Sequence, residues 1–141
     1  MLWFYKQVRN EARWDIKCKK CWEEALPGVP FLGYSGKFLF RGALHDAEAI
    51  GNIMYGYTGR AMGFSDITLF WGGGVAKTGS LTAPELSTPP DYGDDHEDHI
   101  NIALGYEMFA EDYSDYPSIG YYGIPLSDWM AKLAEVILGM N

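Results

Sequence analysis

The stretch EAIGNIMYGYTGRAMGFS, residues 48–65, decides how the chain is read. It holds Gly51, Gly56, Gly59 and Gly63, yet apolar residues keep a helical beat from Ala47 through Ile50, Met54, Tyr57 or Thr58 to Ala61. Each glycine inside a helix costs roughly 1 kcal/mol relative to alanine. Two readings follow. In one, residues 43–62 form a helix whose missing side chains allow tight helix–helix packing. In the other, the segment breaks into a loop or hairpin and lines a cleft. The polar residues around it, His45, Asp46, Glu48, Asn52 and Arg60, are the densest mix of acid, base and amide in an otherwise apolar region.

Outward from this segment the pattern is helical. Apolar residues at three- and four-residue spacing predict a helix over residues 2–26, ended by Pro27 and Gly28. PFLGYSGKFLF, residues 30–40, is the best strand candidate, with Gly33 and Gly36 pointing to a hairpin or an irregular extended piece. Ser65 reads as the cap of a helix through about Lys77, although Gly72, Gly73 and Gly74 interrupt it. Residues 77–93 read as a Ser/Thr/Pro/Gly loop. Asp94 or Asp95 then caps a helix carrying Ile102, Tyr106 and Phe109 on one face, and Ser127 caps a last helix. The expected fold is mainly α, or α+β with little strand, with about five helices around one core in a single domain spanning 1–141.

Charge narrows the function. Residues 1–45 hold eight Lys/Arg against four Asp/Glu, whereas residues 46–141 hold three against fifteen. Such an acidic body repels phosphate backbones, which disfavours general nucleic-acid binding. No run of eighteen apolar residues exists to span a bilayer, and the N-terminus lacks the apolar stretch of a secretory signal peptide. The abrupt aromatic start is what a domain cut from a larger exported protein would show. Cys18 and Cys21 form one CxxC with no second pair at zinc-finger spacing, so two buried or half-buried thiols are expected.

DYGDDHEDH, residues 91–99, is the second polar constellation. Asp94 and Asp98, and likewise Asp95 and His99, lie four residues apart on a helix. The set reads as a solvated helix start, as catalytic carboxylates or as a divalent-cation face. The expectation is that no metal or cofactor is required, and that Asp94, Asp95 and Asp98 border the same cleft as residues 48–60.

RWDIK (13–17), EAIGNIMYGYTGRAMGFS (48–65) and YGDDHEDHINIALGYEMF (92–109) together resemble the bacterial polymorphic toxin type 44 family, in order and spacing from residue 13 to about 110. His96 stands where that family usually has proline. The resemblance implies the C-terminal toxin domain of a large exported effector of interbacterial conflict, delivered into a target cell and paired with a cognate immunity protein. A shorter likeness joins IGNIMYGYTGRAMGF to a glycine-rich segment of chitosanases in the lysozyme superfamily, where a helix ends in a catalytic Glu.

Three functional readings result. The first is a lysozyme-like glycosidase, a muramidase acting on peptidoglycan in the periplasm. Glu48 is its general acid, with a pKa raised by apolar neighbours, and Asp66, Asp94 or Asp95 positions water or stabilises the oxocarbenium ion. Asn52, Tyr55, Arg60, Asp98 and His99 bind substrate. The second is a ribonuclease toxin of the target cytoplasm, with His45 or His99 as acid or base and Arg60 or Lys17 stabilising the phosphorane. The third, a pore-former or binding module, needs no catalytic cluster.

Overall fold

The computed structural model describes residues 2–8, 12, 15–33 and 35–114. Helices α1 (Leu2–Val8) and α2 (Lys19–Ala25) precede a hairpin of β1 (Phe38–Phe40) and β2 (Ala43–His45). Helices α3 (Ala47–Ala61), α4 (Asp66–Thr78) and α5 (His96–Asp112) follow. The fold is thus mainly α, with a small two-stranded sheet. No helix among the described residues is long and apolar enough to cross a membrane. The helix expected from Ser127 lies outside the described residues.

The helix expected over 2–26 is two helices. Asp15 breaks the pattern: its carboxylate accepts the Lys17 N–H at 3.3 Å, and its carbonyl accepts the Cys18 N–H. A short acidic side chain that captures nearby backbone donors competes with the helix. Cys18 is left extended at the N-cap of α2. That geometry puts its Cα 5.3 Å from that of Cys21, and the two cysteines form a disulfide rather than the expected thiols. Buried Ile16 pins the turn to the core.

The hairpin also departs from expectation. Strand pairing covers only Phe38↔His45, Leu39↔Leu44 and Phe40↔Ala43. The turn is at Arg41 and Gly42, both at positive φ, rather than at Gly33 or Gly36. Residues 43–45 are therefore strand, and the glycine-bearing helix begins after Asp46, whose carboxylate accepts the Ala49 N–H at 2.9 Å.

Helix α3 runs unbroken through its glycines and is the centre of the core. Its contacts with α5 advance in the same direction along both helices: Asn52 meets Asp98, Gly56 meets Ile102 and Arg60 meets Tyr106. The two helices are parallel. A methyl group on Gly56 would fall 2.0 Å from the Ile102 carbonyl oxygen, and one on Gly105 would fall 1.8 Å from that of Ile53. Reciprocal bare backbone permits this approach, and Ile53, Tyr57, Ile102, Met108 and Phe109 fill the core around it. Tight packing, the first of the two readings, therefore accounts for Gly56, and the alternative loop or hairpin break does not occur.

Helix α4 starts where expected, with Ser65 Oγ accepting the Thr68 N–H at 3.2 Å, and ends at left-handed Gly79. Its three glycines receive neighbours. A methyl group on Gly72 would strike the Tyr55 hydroxyl, one on Gly73 the Asp94 carboxylate and one on Gly74 the Tyr92 carbonyl. The loop before α5 holds a short 3-10 turn, Pro84–Ser87.

Candidate functional site

Because α3 and α5 are parallel, their N-termini share one end of the molecule. Both positive helix ends face that region, a setting that suits carboxylates. Glu48 and Asn52 come from the first turns of α3, and Asp94, Asp95 and Asp98 from the start of α5. Asn52 is buried, and its Nδ2 donates to Asp98 Oδ1 at 2.6 Å. Lys17, from the turn before α2, reaches Glu48 with 3.7 Å between Nζ and Oε1. Its stem lies over Gly51, where a methyl group would sit 3.0 Å from Lys17 Cγ. Lys77, at the end of α4, donates to Asp95.

Asp94 is the half-buried member. Its Oδ1 accepts the Asp95 N–H at 2.9 Å, while Oδ2 occupies the space left by Gly73. Burial, opposed by that hydrogen bond and by Lys17 but aided by the charges of Asp98 and Asp95, raises its pKa to about 6. Burial also raises Asp98, with Lys17 and Lys77 working against it and Glu48 and Asp95 with it. Burial and the Asp94 charge push the Tyr55 hydroxyl up, so it stays protonated as it donates to the Leu69 carbonyl at 3.1 Å.

The structure thus brings together Glu48, Asn52, Asp94, Asp95 and Asp98, with Tyr55 bordering Asp94. It corrects details of each. Glu48 lies in the first turn of α3, not where a helix finishes, and is exposed and paired with Lys17 rather than set among apolar neighbours. Asp95 occupies the N-cap position of α5 but makes no side-chain cap, because its carboxylate turns to Lys77.

Other expected site residues lie elsewhere. His45 is in the hairpin, with its ring edge against Phe40. Arg60 lies about 12 Å beyond Asn52 along α3. There it donates to the Tyr106 carbonyl at 3.1 Å and covers the Tyr106 ring at 4.2 Å. Asp66 begins α4, whereas Lys77 near the other end of that helix touches the cluster. His99 stacks on Phe70 at 4.0 Å, beside Asp91 and His96. Lys77 and Gly73 also border the cluster without being expected from the sequence; the basic last turn of α4 is the available signal. Among the described residues, no group of three or more His, Cys, Asp or Glu is placed to hold a metal ion.

The described residues thus gather carboxylates of unlike environment at paired helix starts, with two lysines at the rim. The model of the bacterial toxin 44 family matches residues 3–111, and the chain belongs to that family of bacterial toxins. No curated protein and no solved structure matches it.

Proposed function

We propose that the domain is an antibacterial effector toxin acting as a lysozyme-like glycoside hydrolase, a muramidase that cuts peptidoglycan in the target periplasm. The supporting observation is the contrast between two carboxylates of one cluster. Asp94 is half-buried and still takes up a proton near neutrality, whereas Glu48 is exposed and paired with Lys17. A half-buried carboxyl group that holds its proton beside an exposed carboxylate paired with a lysine is the setting of a glycosidase acid and its partner. Asp94, rather than Glu48, donates the proton to the leaving glycosidic oxygen. Glu48, as the carboxylate, stabilises the oxocarbenium ion or activates water on the other side of the sugar. Asn52 and Asp98, already joined, present amide and carboxylate to sugar hydroxyls. The acidic body is compatible with a glycan and opposes a polyphosphate substrate. Delivery into the target cell and neutralisation by a cognate immunity protein belong to the same reading.

One observation favours a ribonuclease instead. His96 Nδ1 lies 2.9 Å from Asp91 Oδ1, and its ring is parallel to that of His99 at 6.3 Å, so two imidazoles stand together at the start of α5. The purified chain, given peptidoglycan and total RNA separately, decides between them. The glycosidase reading expects new reducing ends from peptidoglycan, killing only on export to the periplasm, and a loss of about 10²- to 10⁴-fold in Asp94→Asn. RNA cleavage abolished by His96→Ala, with peptidoglycan untouched, overturns it.

A further inference from the structure

We propose that Lys17 is the positioning residue of the carboxylate cluster and that the Cys18–Cys21 disulfide is a redox lock on its position. The inference rests on the cluster being the functional site, but not on which substrate it cuts. Lys17 is held from both sides. On its N-terminal side, Asp15 accepts its backbone N–H at 3.3 Å, and buried Ile16 anchors the turn. On its C-terminal side, the next residue is Cys18, whose sulfur is bonded to Cys21 in the first turn of α2. The backbone of Lys17 is therefore held between the hydrogen-bonded turn at Asp15 and the covalently closed turn of residues 18–21. Its side chain runs across the bare backbone of Gly51 to Glu48.

From there the ammonium acts on more than its direct partner. Its charge stabilises the ionised forms of both Asp94 and Asp98. The charged and titratable groups facing these two are Asp95 on the same segment, Glu48 on α3, Lys77 on α4 and Lys17, with the Tyr55 hydroxyl beside Asp94. Lys77 is committed to Asp95. Among the described residues, Lys17 is thus the cation that links the carboxylates contributed by the two helices.

Opening the lock is a balanced exchange with a dithiol such as dithiothreitol. The Cys18–Cys21 S–S bond breaks, two protein thiols form, and the reagent closes to its own disulfide, supplying two electrons and two protons. The turn then loses its covalent closure, and Lys17 gains other positions. A thiol-rich cytosol would keep the lock open, and an oxidising periplasm would keep it closed.

The test follows the carboxyl carbons of Asp94 and Asp98 by NMR across pH in the full chain, a readout that needs no substrate. In Lys17→Met both titrations are expected to move to higher pH, and Lys17→Arg is expected to restore them. Reduction is expected to move them in the same direction. So is Cys18→Ser, which removes the disulfide but keeps a good N-cap residue. Unchanged titrations in Lys17→Met overturn the positioning role. Titrations that move in Lys17→Met but not on reduction or in Cys18→Ser overturn the lock. Failure to cleave peptidoglycan touches neither result and counts only against the glycosidase reading.

Discussion

Asn52 and Asp98, forty-six residues apart, are joined at the start of the α3–α5 seam by an amide-to-carboxylate hydrogen bond of 2.6 Å. The bond ties the two acidic helix starts to each other, and it satisfies a buried amide that would otherwise lack a partner. Removing it takes a donor from the Asp98 carboxylate and uncouples the two helix starts at that point. Asn52→Ala is expected to cost about 1–2 kcal/mol in chemical denaturation. It should also lower killing by more than that loss of folded protein explains. Equal stability in the variant would mean that the bond is not formed in solution.

The glycines of the 48–65 segment are expected to separate by neighbour. A methyl group at Gly56 meets backbone, which cannot move aside, and Gly56→Ala or Gly105→Ala should destabilise by about 3 kcal/mol. At Gly51 the neighbour is the flexible stem of Lys17. Gly51→Ala therefore gains helix propensity, up to about 1 kcal/mol, while displacing the lysine. Thermal melting together with killing assays checks the contrast: a more stable Gly51→Ala with weaker killing, against unstable variants at the seam.

These outcomes also show what the residues disclosed before the fold. The cap at Ser65 is legible because capping is a local bond between a side chain and the next turn, whereas the helix expected from residue 43 begins only after Asp46. Gly56 and Gly105 signal close approach, but the partner of each lies some fifty residues away, where no periodicity reaches. The break at Asp15 is hidden beneath an apolar pattern that runs across it. The hairpin strands are three residues each, too short for alternation to declare itself. For the site, Glu48, Asn52, Asp94, Asp95 and Asp98 could be read from two polar constellations. His45 and Arg60 were drawn in by proximity in sequence alone; the hairpin carries one away, and two helical turns separate the other. Lys77 and Gly73 depend on where α4 lies, which only the tertiary structure gives.

Arg60 is expected to matter for stability and not for chemistry. Its guanidinium bonds the Tyr106 carbonyl and covers the Tyr106 ring, clamping the far part of the α3–α5 seam. Arg60→Ala should lose about 1–2 kcal/mol. Specific activity per folded molecule should stay at the wild-type level. A variant that folds as well as wild type but no longer kills would return Arg60 to the site.

Asp94 predicts a pH dependence of opposite sign to that of most carboxylates. Its pKa rises from an ordinary 3.8 to about 6 on folding, so the native state holds a proton that the unfolded chain has released. Its contribution to stability is complete below about pH 4 and is lost as pH rises through 6. Asp94→Asn keeps the shape and cannot ionise, so its stability relative to wild type should increase across that window and level off above it. Wild-type activity should fall as the same proton is lost. A general acid at Asp94 gives a wild-type rate that falls as pH rises through about 6, and Asp94→Asn should lose that limb together with most of the rate. Denaturation curves of both proteins from pH 4 to 8, with peptidoglycan hydrolysis measured over the same range, check the two halves. A stability difference that stays flat with pH would show that Asp94 is not raised. A raised Asp94 whose loss leaves hydrolysis intact would remove it from the chemistry while keeping it in the fold.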